Sequence, residues 1–129
     1  MKIRPTVWGT LLAGIAVLLG AFGAHFIKNK LPEPEDIKIF ETAVQYQMYH
    51  SIALILVGMQ LKSKPSKFLA NAALSFVLGI IFFCGSLYLI TLGKLSHGDL
   101  TWLGPITPIG GIAFVTGWGM LFYHQITKR

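Results

Sequence analysis

Four long apolar stretches dominate the sequence, at about residues 6–27, 43–61, 68–92 and 106–126. As helices, each is long enough to cross the roughly 30 Å hydrocarbon core of a bilayer. Only 12% of the residues are charged, whereas about a quarter are charged in soluble domains. The sequence therefore predicts an all-α fold, an integral membrane four-helix bundle in which residues 1–129 form a single membrane domain. A cleaved signal sequence is the less favoured interpretation of the first stretch, because three further spans follow it.

The second stretch is the least apolar, and its helix is predicted to start near residue 35, outside the lipid. Pro34 suits the first turn of a helix, and Glu35 and Asp36 are favoured there by the helix dipole. Small residues recur every three or four positions in the other stretches, for example Gly9, Gly79 and Gly110 in the first, third and fourth. Such stripes let helices approach closely in lipid, which predicts a tightly packed bundle.

The distribution of lysine and arginine predicts the orientation. With four spans, seven cations lie on the side that holds both termini and four on the other side, and cytoplasmic loops carry the excess. Both termini are therefore expected in the cytoplasm, in a multi-pass protein of the bacterial inner membrane. The cations occupy separate turns flanking the membrane and form no continuous groove, so the basic charge predicts contact with membrane lipids and no binding of nucleic acid. The seven are Lys2, Arg4, Lys62, Lys64, Lys67, Lys128 and Arg129, and the four are Lys28, Lys30, Lys38 and Lys94.

Polar side chains are concentrated in the outer half of the second stretch, where hydrocarbon penalises polar groups that lack partners. Glu41 is expected to lie near the outer surface, close in depth to His25 on the first helix, and we expect these two side chains to approach each other. His50 would lie about 10 Å into the membrane, as either a hydrogen-bonded structural residue or a proton-handling one. The candidate cluster comprises His25, Glu41, Gln45, Tyr46, Gln47, Tyr49 and His50.

The polar residues of the second helix fall on two faces. Glu41, Gln45 and Tyr49 share one side, and Gln47 and His50 lie on the other. Because neither face suits lipid, the helix is expected either at the centre of the bundle or between the bundle and a second subunit. A homo-oligomer or another membrane protein is therefore a possible partner.

The sequence offers little sign of a cofactor. Cys84 is the only cysteine, and no pair of histidine or carboxylate residues has a convincing metal-ligand spacing. The unequal depths of His25 and His50 argue against a haem clamped between them. We therefore predict no catalytic residue, no metal site and no cofactor. Trp102, Trp118 and Tyr123 are expected near the membrane surfaces, as in aromatic belts.

Several motifs resemble a known family: Gly23-Ala-His25-x-x-Lys28, Phe40-x-Thr-Ala-Val-x-Tyr-Gln-Met-Tyr-His50, Gly85-Ser-Leu-Tyr88 and Ile106-Thr-Pro-Ile-Gly-Gly111. In this order they are similar to the YgdD/YwdK-type family of small inner-membrane proteins, a domain-of-unknown-function family. The resemblance implies four spans and no settled activity. It adds Lys28 to the polar cluster, and it marks Ser86, Tyr88 and Pro108 as motif positions.

Three functional hypotheses remain. The favoured one is a compact bundle with a structural or accessory role through partners or lipids, in which the polar cluster sets helix register. The first alternative is a small oligomeric carrier or proton-coupled permeation unit that uses the polar cluster, and the second is a quinone- or haem-binding membrane protein. The irregular segment at the start of the last helix is interpreted either as a simple helix start, which is favoured, or as one wall of a cavity facing the second helix, with Ser86, Tyr88, Thr107 and Pro108 as candidate wall residues.

Overall fold

The computed structural model describes residues 4–127, and this part of the chain is helical with no strand. Four long helices occur in it: α1 (Pro5–Lys30), α2 (Pro34–Ser63), α3 (Lys67–Leu95) and α4 (Ile106–Thr127). Lys2, Lys128 and Arg129, which were used to predict the orientation, lie outside the described residues, as do the ends of the predicted domain 1–129.

Prolines and short polar turns set the helix boundaries. Pro5 and Pro34 stand in the first turns of α1 and α2, where a missing backbone N–H costs nothing. Only residues 31–33 separate α1 from α2, and only residues 64–66 separate α2 from α3. Connections this short make neighbouring helices antiparallel.

Two of the helices contain a single π-helical turn, Leu19–Gly23 in α1 and Ile80–Cys84 in α3. Such turns shift the side chains that follow around the helix axis. A 3₁₀ turn, Thr101–Leu103, precedes α4.

Three segments of the described chain are long and apolar enough to cross a membrane: α1, α3 and Thr101–Thr127, which contains α4. The 30-residue helix α2 is long enough but is not among them. Its polar residues and charged first turns make it less apolar than the other three.

The helices pack in chain order, with α2 against α1 and α3, and α3 against α4. Helix α1 makes no extensive backbone contact with α3 or α4, so it lies at the edge of the bundle. The fully buried side chains of the core come mainly from α2 and α3, with Leu54, Val57, Leu69 and Phe76 at its centre.

Glycines hold the paired helices close together, as the small-residue stripes predicted. A Cβ on Gly9 would lie 2.7 Å from the backbone oxygen of Ser51, so α1 and α2 meet there through their backbones. A Cβ on Gly110 would overlap the backbone of Phe83, which places α4 directly against α3. Neither position has room for a larger residue at the observed helix spacing.

Candidate functional site

Gln47 joins three helices from the middle of α2. Its Nε2 donates a hydrogen bond to the backbone oxygen of Leu12 in α1 at 2.8 Å, and its Oε1 accepts one from the hydroxyl of Tyr88 in α3 at 2.7 Å. The side chain is only 3% exposed, and the hydroxyl of Ser51 donates to its backbone oxygen. The amide therefore uses both its donor and its acceptor to connect α2 with its two neighbours.

His50 connects α2 with α4. Its Nδ1 lies 2.7 Å from the backbone oxygen of Tyr46, and its Nε2 lies 3.0 Å from the indole Nε1 of Trp118. A carbonyl oxygen only accepts and an indole N–H only donates, so Nδ1 carries the proton and Nε2 is the acceptor. These two bonds select one neutral tautomer of the imidazole.

Aromatic rings surround His50. The ring of Phe114 is stacked on the imidazole, with centroids 3.5 Å apart and planes inclined by 12°. Phe76 and Trp118 approach it from other sides, and Tyr46 stacks on Phe83 at 4.6 Å. Ring contacts and hydrogen bonds together hold the imidazole in place between α2, α3 and α4.

An open groove borders this aromatic cluster between α2 and α4. Its volume is about 780 Å³, within the usual range for ligand sites. Tyr46, Tyr49, His50 and Trp118 line it, together with Pro108. Because both ring nitrogens of His50 are hydrogen-bonded, to Tyr46 and to Trp118, the histidine contributes ring surface to the groove and no free nitrogen.

Of the four predicted cavity-wall residues, Pro108 alone lines this groove. Ser86 and Thr107 instead bond to each other through their hydroxyls at 2.6 Å, which joins α3 to α4. The hydroxyl of Tyr88 points to Gln47. The motif positions of α3 and α4 therefore serve mainly as contacts between helices.

The outer members of the predicted cluster form no hydrogen bond or ion pair with one another within residues 4–127. His25, Lys28, Glu41 and Gln45 are exposed, and within residues 4–127 no hydrogen bond or ion pair joins His25 to Glu41. The expected contact between His25 and Glu41 is therefore formed neither as a hydrogen bond nor as an ion pair. Phe40 of α2 contacts the second half of α1, where its ring lies against Gly23.

The two faces of α2 separate sharply. The face with Gln47 and His50 is buried, and the opposite face is exposed along its length. Within the single chain, α2 therefore does not lie at the centre of the bundle with both polar faces covered; the other expected arrangement, with a second subunit on the exposed face, stays a prediction. The exposed face carries Glu41, Gln45, Tyr49, Ile52, Leu56 and Met59.

Charged contacts lie beyond this exposed face, near the start of α2. Lys94 at the end of α3 forms an ion pair with Asp36 at 2.9 Å. In the loop that follows, the side-chain and backbone donors of Thr101 hold the pKa of Asp99 below its usual value. No group of three or more histidine, cysteine or carboxylate residues that could hold a metal occurs in the described part of the chain.

Trp118 is the main site residue that the sequence interpretation missed. It was expected at a membrane surface, but it lies midway along α4 with its indole bonded to His50. An indole N–H in an apolar, membrane-length segment requires a protein acceptor because hydrocarbon offers none, and this requirement was the available signal. Which polar residue supplies that acceptor depends on how α2 and α4 face each other.

Comparison with known proteins places this arrangement in a family. The family model described as "Protein of unknown function (DUF423)" matches residues 19–111. A UPF0382 membrane protein of Staphylococcus haemolyticus is 40% identical over 115 residues, covering 89% of this chain and 88% of the relative. The UPF0382 membrane protein YwdK of Bacillus subtilis is 38% identical, covering 89% of each chain.

A UPF0382 membrane protein of Haemophilus influenzae is 36% identical over 129 residues, covering 100% of this chain and 98% of the relative. No solved structure matches the chain significantly. The resemblance inferred from the sequence motifs is confirmed. The chain belongs to the DUF423 family of membrane proteins, whose biochemical activity is unknown.

Proposed function

We propose that the chain crosses the membrane four times, with both termini in the cytoplasm of a bacterial cell. Helix α2 joins α1 to α3 through turns of three residues and packs against both. Gly58 meets Thr6 near one end of the α1–α2 pair, and Gly23 meets Phe40 near the other. If α1 and α3 cross the bilayer, an antiparallel helix between them crosses it too, and its polar residues are shielded on the packed side.

Within this topology, the protein has a structural or accessory role through partners or lipids. The main support is that the hydrogen bonds of Gln47 and His50 connect α2 with all three other helices. No buried side-chain nitrogen or oxygen of the described residues lacks a hydrogen-bond partner. The polar interior is thus engaged in fixing helix register, the use of buried polar groups that is best supported physically.

This geometry gives less support to the carrier and haem hypotheses. A protonated His50 would point two N–H groups outwards, and one of them would face the N–H of Trp118. A haem iron would require a ring nitrogen that is already bonded. The proposed function therefore includes no cofactor and no proton transfer by His50.

The groove beside Tyr46 and Tyr49 favours a second candidate, the binding of a flat lipophilic ring such as a quinone. Aromatic walls suit such a ligand, and a tyrosine hydroxyl can donate to a quinone oxygen. Solvent extraction of the purified protein followed by ultraviolet spectroscopy tests this candidate. One quinone per chain would favour it over a purely structural role, and a quinone-free extract would exclude it for the purified protein.

We further propose that the exposed face of α2 contacts a second copy of the chain. Gln45 lies on this face with Tyr49, which is 55% exposed, above the apolar Ile52 and Leu56. A glutamine amide both donates and accepts, so two copies of Gln45 can bond to each other across a two-fold axis. In lipid, such polar contacts promote helix association.

Single exposed cysteines test this association, because the only native cysteine, Cys84, is buried. Under mild oxidation in membranes, Gln45→Cys should form disulfide-linked dimers. Leu18→Cys is the matched control: it is 59% exposed on α1, near the level at which Gly20 meets Val44. Equal cross-linking at the two positions, or none at Gln45→Cys, would contradict the proposed contact.

The same approach tests the topology. In intact spheroplasts, a membrane-impermeant maleimide should label Glu33→Cys before α2 but should label Ser63→Cys at its end only after permeabilisation. Both positions are exposed in the structure. Labelling of both from the outside would show that α2 does not cross, and the reverse pattern would invert the orientation.

A further inference from the structure

A second groove, of about 680 Å³, lies between α1, α2 and α3 at the end of the bundle where α1 begins. It is lined by Arg4, which immediately precedes α1, by Thr6 of α1, by Gly58 and Lys62 of α2, and by Asn71 and Leu74 of α3. It exists because α1 and α3 both pack on α2 without packing extensively on each other. Gly58, which has no side chain, lets α1 approach α2 closely at Thr6 beside the groove.

The charges of this groove have one sign. Arg4 and Lys62 line it, and neither forms an ion pair within the part of the chain described by the structure. The five side-chain carboxylates of the sequence lie at residues 33–41, around the start of α2, and at residue 99, after the end of α3, whereas the groove lies at the opposite ends of these two helices. An anion at the mouth of the groove would therefore meet two cations and no carboxylate of this chain.

The rest of the groove is mainly apolar. Val7 and Leu74 form parts of its walls, and the small side chains of Ala70 and Ala73 line it from α3. A ligand with an anionic head and a hydrocarbon chain matches this arrangement better than a wholly polar anion. In the proposed orientation, the cations also lie at the cytoplasmic headgroup level, where basic pockets between helices bind anionic lipids.

We propose that this groove binds one anionic phospholipid, with the phosphate between Arg4 and Lys62 and one acyl chain against α1 and α3. The proposal rests on the membrane topology given above but not on association between two copies. The bound lipid would fill the gap between α1 and α3 and thereby tie the edge helix to the bundle. An anionic phospholipid would then be a partner that the chain recognises at a defined site.

Binding can be measured by native mass spectrometry of the full chain released from detergent micelles. Phosphatidylglycerol and phosphatidylcholine with the same acyl chains are the two probes, because only the first has a net charge. We expect phosphatidylglycerol to be preferred. Arg4→Gln and Lys62→Gln should each weaken its binding about fivefold, the equivalent of about 1 kcal/mol for each cation near a membrane surface.

Two further variants locate the site. Lys64→Gln removes the same charge from the adjacent turn, outside the groove lining, and should leave the preference for phosphatidylglycerol unchanged. Ala70→Trp, at an exposed lining position, should block the groove and weaken binding of phosphatidylglycerol while leaving every cation in place. Circular dichroism checks that each variant remains folded.

Four outcomes would overturn the proposal. Equal binding of the two lipids would remove the headgroup specificity, and an equal loss in Lys64→Gln would show that only general surface charge matters. Unchanged binding in Ala70→Trp would place the lipid elsewhere. Competition by millimolar inorganic phosphate would identify a free-phosphate site instead of a lipid site. Failure of any of these tests leaves the cross-linking test of the α2 face unaffected.

Discussion

Replacing Gln47 with leucine tests the central structural claim, that one buried amide sets the register of three helices. Leucine has a similar volume and suits a helix in lipid, so the change mainly removes polar contacts. Two hydrogen bonds are lost, one to the backbone of Leu12 and one from Tyr88. The leucine also leaves the hydroxyl of Tyr88 without its acceptor in a part-buried site.

The expected cost follows from these two losses. Hydrogen bonds between membrane helices contribute about 0.6 kcal/mol on average and up to about 1.7 kcal/mol. A buried donor left without a partner costs about 1–3 kcal/mol. We therefore expect Gln47→Leu to lower the free energy of unfolding by about 2–3 kcal/mol. Gln45→Leu is the matched control at protein concentrations low enough to keep the chain monomeric, because Gln45 is exposed on the same helix of the single chain and its replacement should then change stability by less than about 0.5 kcal/mol.

Equilibrium unfolding of the purified chain in mixed micelles, followed by tryptophan fluorescence, measures these differences. A double-mutant cycle with Tyr88→Phe isolates the bond between Gln47 and Tyr88, and its coupling energy should be about 1 kcal/mol. If Gln47→Leu is as stable as the Gln45→Leu control, or if the coupling energy is zero, the register argument is refuted.

Two other predictions concern helix spacing and the loop before α4. Gly110→Ala should destabilise the chain by about 1–3 kcal/mol, because its Cβ would overlap the backbone of Phe83; Gly119→Ala, which has open space around it, should be neutral or stabilise by up to about 1 kcal/mol. In the same unfolding assay, equal effects of the two changes would contradict the close α3–α4 contact. Thr101→Ala should raise the pKa of Asp99 towards its usual value by removing the hydroxyl donor, as measured by NMR titration of the carboxyl group. Because the folded-state pKa is depressed, this bond stabilises the fold above the usual aspartate pKa and loses its effect as the pH falls through the folded-state pKa; an unchanged pKa in the variant would contradict the assignment.

Helix positions could be predicted from the sequence because they depend on local properties. Apolar length sets the extent of α1, α3 and α4, and Pro34 with the acidic residues after it sets the start of α2. The small-residue stripes also indicated correctly that Gly9 and Gly110 pack closely against neighbouring helices. These features need no knowledge of which helix lies beside which.

The candidate site was only partly predictable. Gln47 and His50 belonged to the predicted polar cluster, but nothing local distinguished them from Glu41 and Gln45 on the same helix. The expected pairing of His25 with Glu41 relied on equal depth, and depth does not determine the direction in which a side chain points. Rotation of α2 about its axis instead buries the face with Gln47 and His50.

The sequence by itself determined a membrane protein built of apolar helices, its family, and the segment in which its polar residues are concentrated. Tertiary structure alone decided that Gln47 bonds Leu12 and Tyr88, which are 35 and 41 residues away, and that Trp118 bonds His50 across 68 residues. The physical reason is that hydropathy and helix periodicity act over one or two turns of chain. The partner of a buried polar group, in contrast, depends on the rotation and spacing of whole helices.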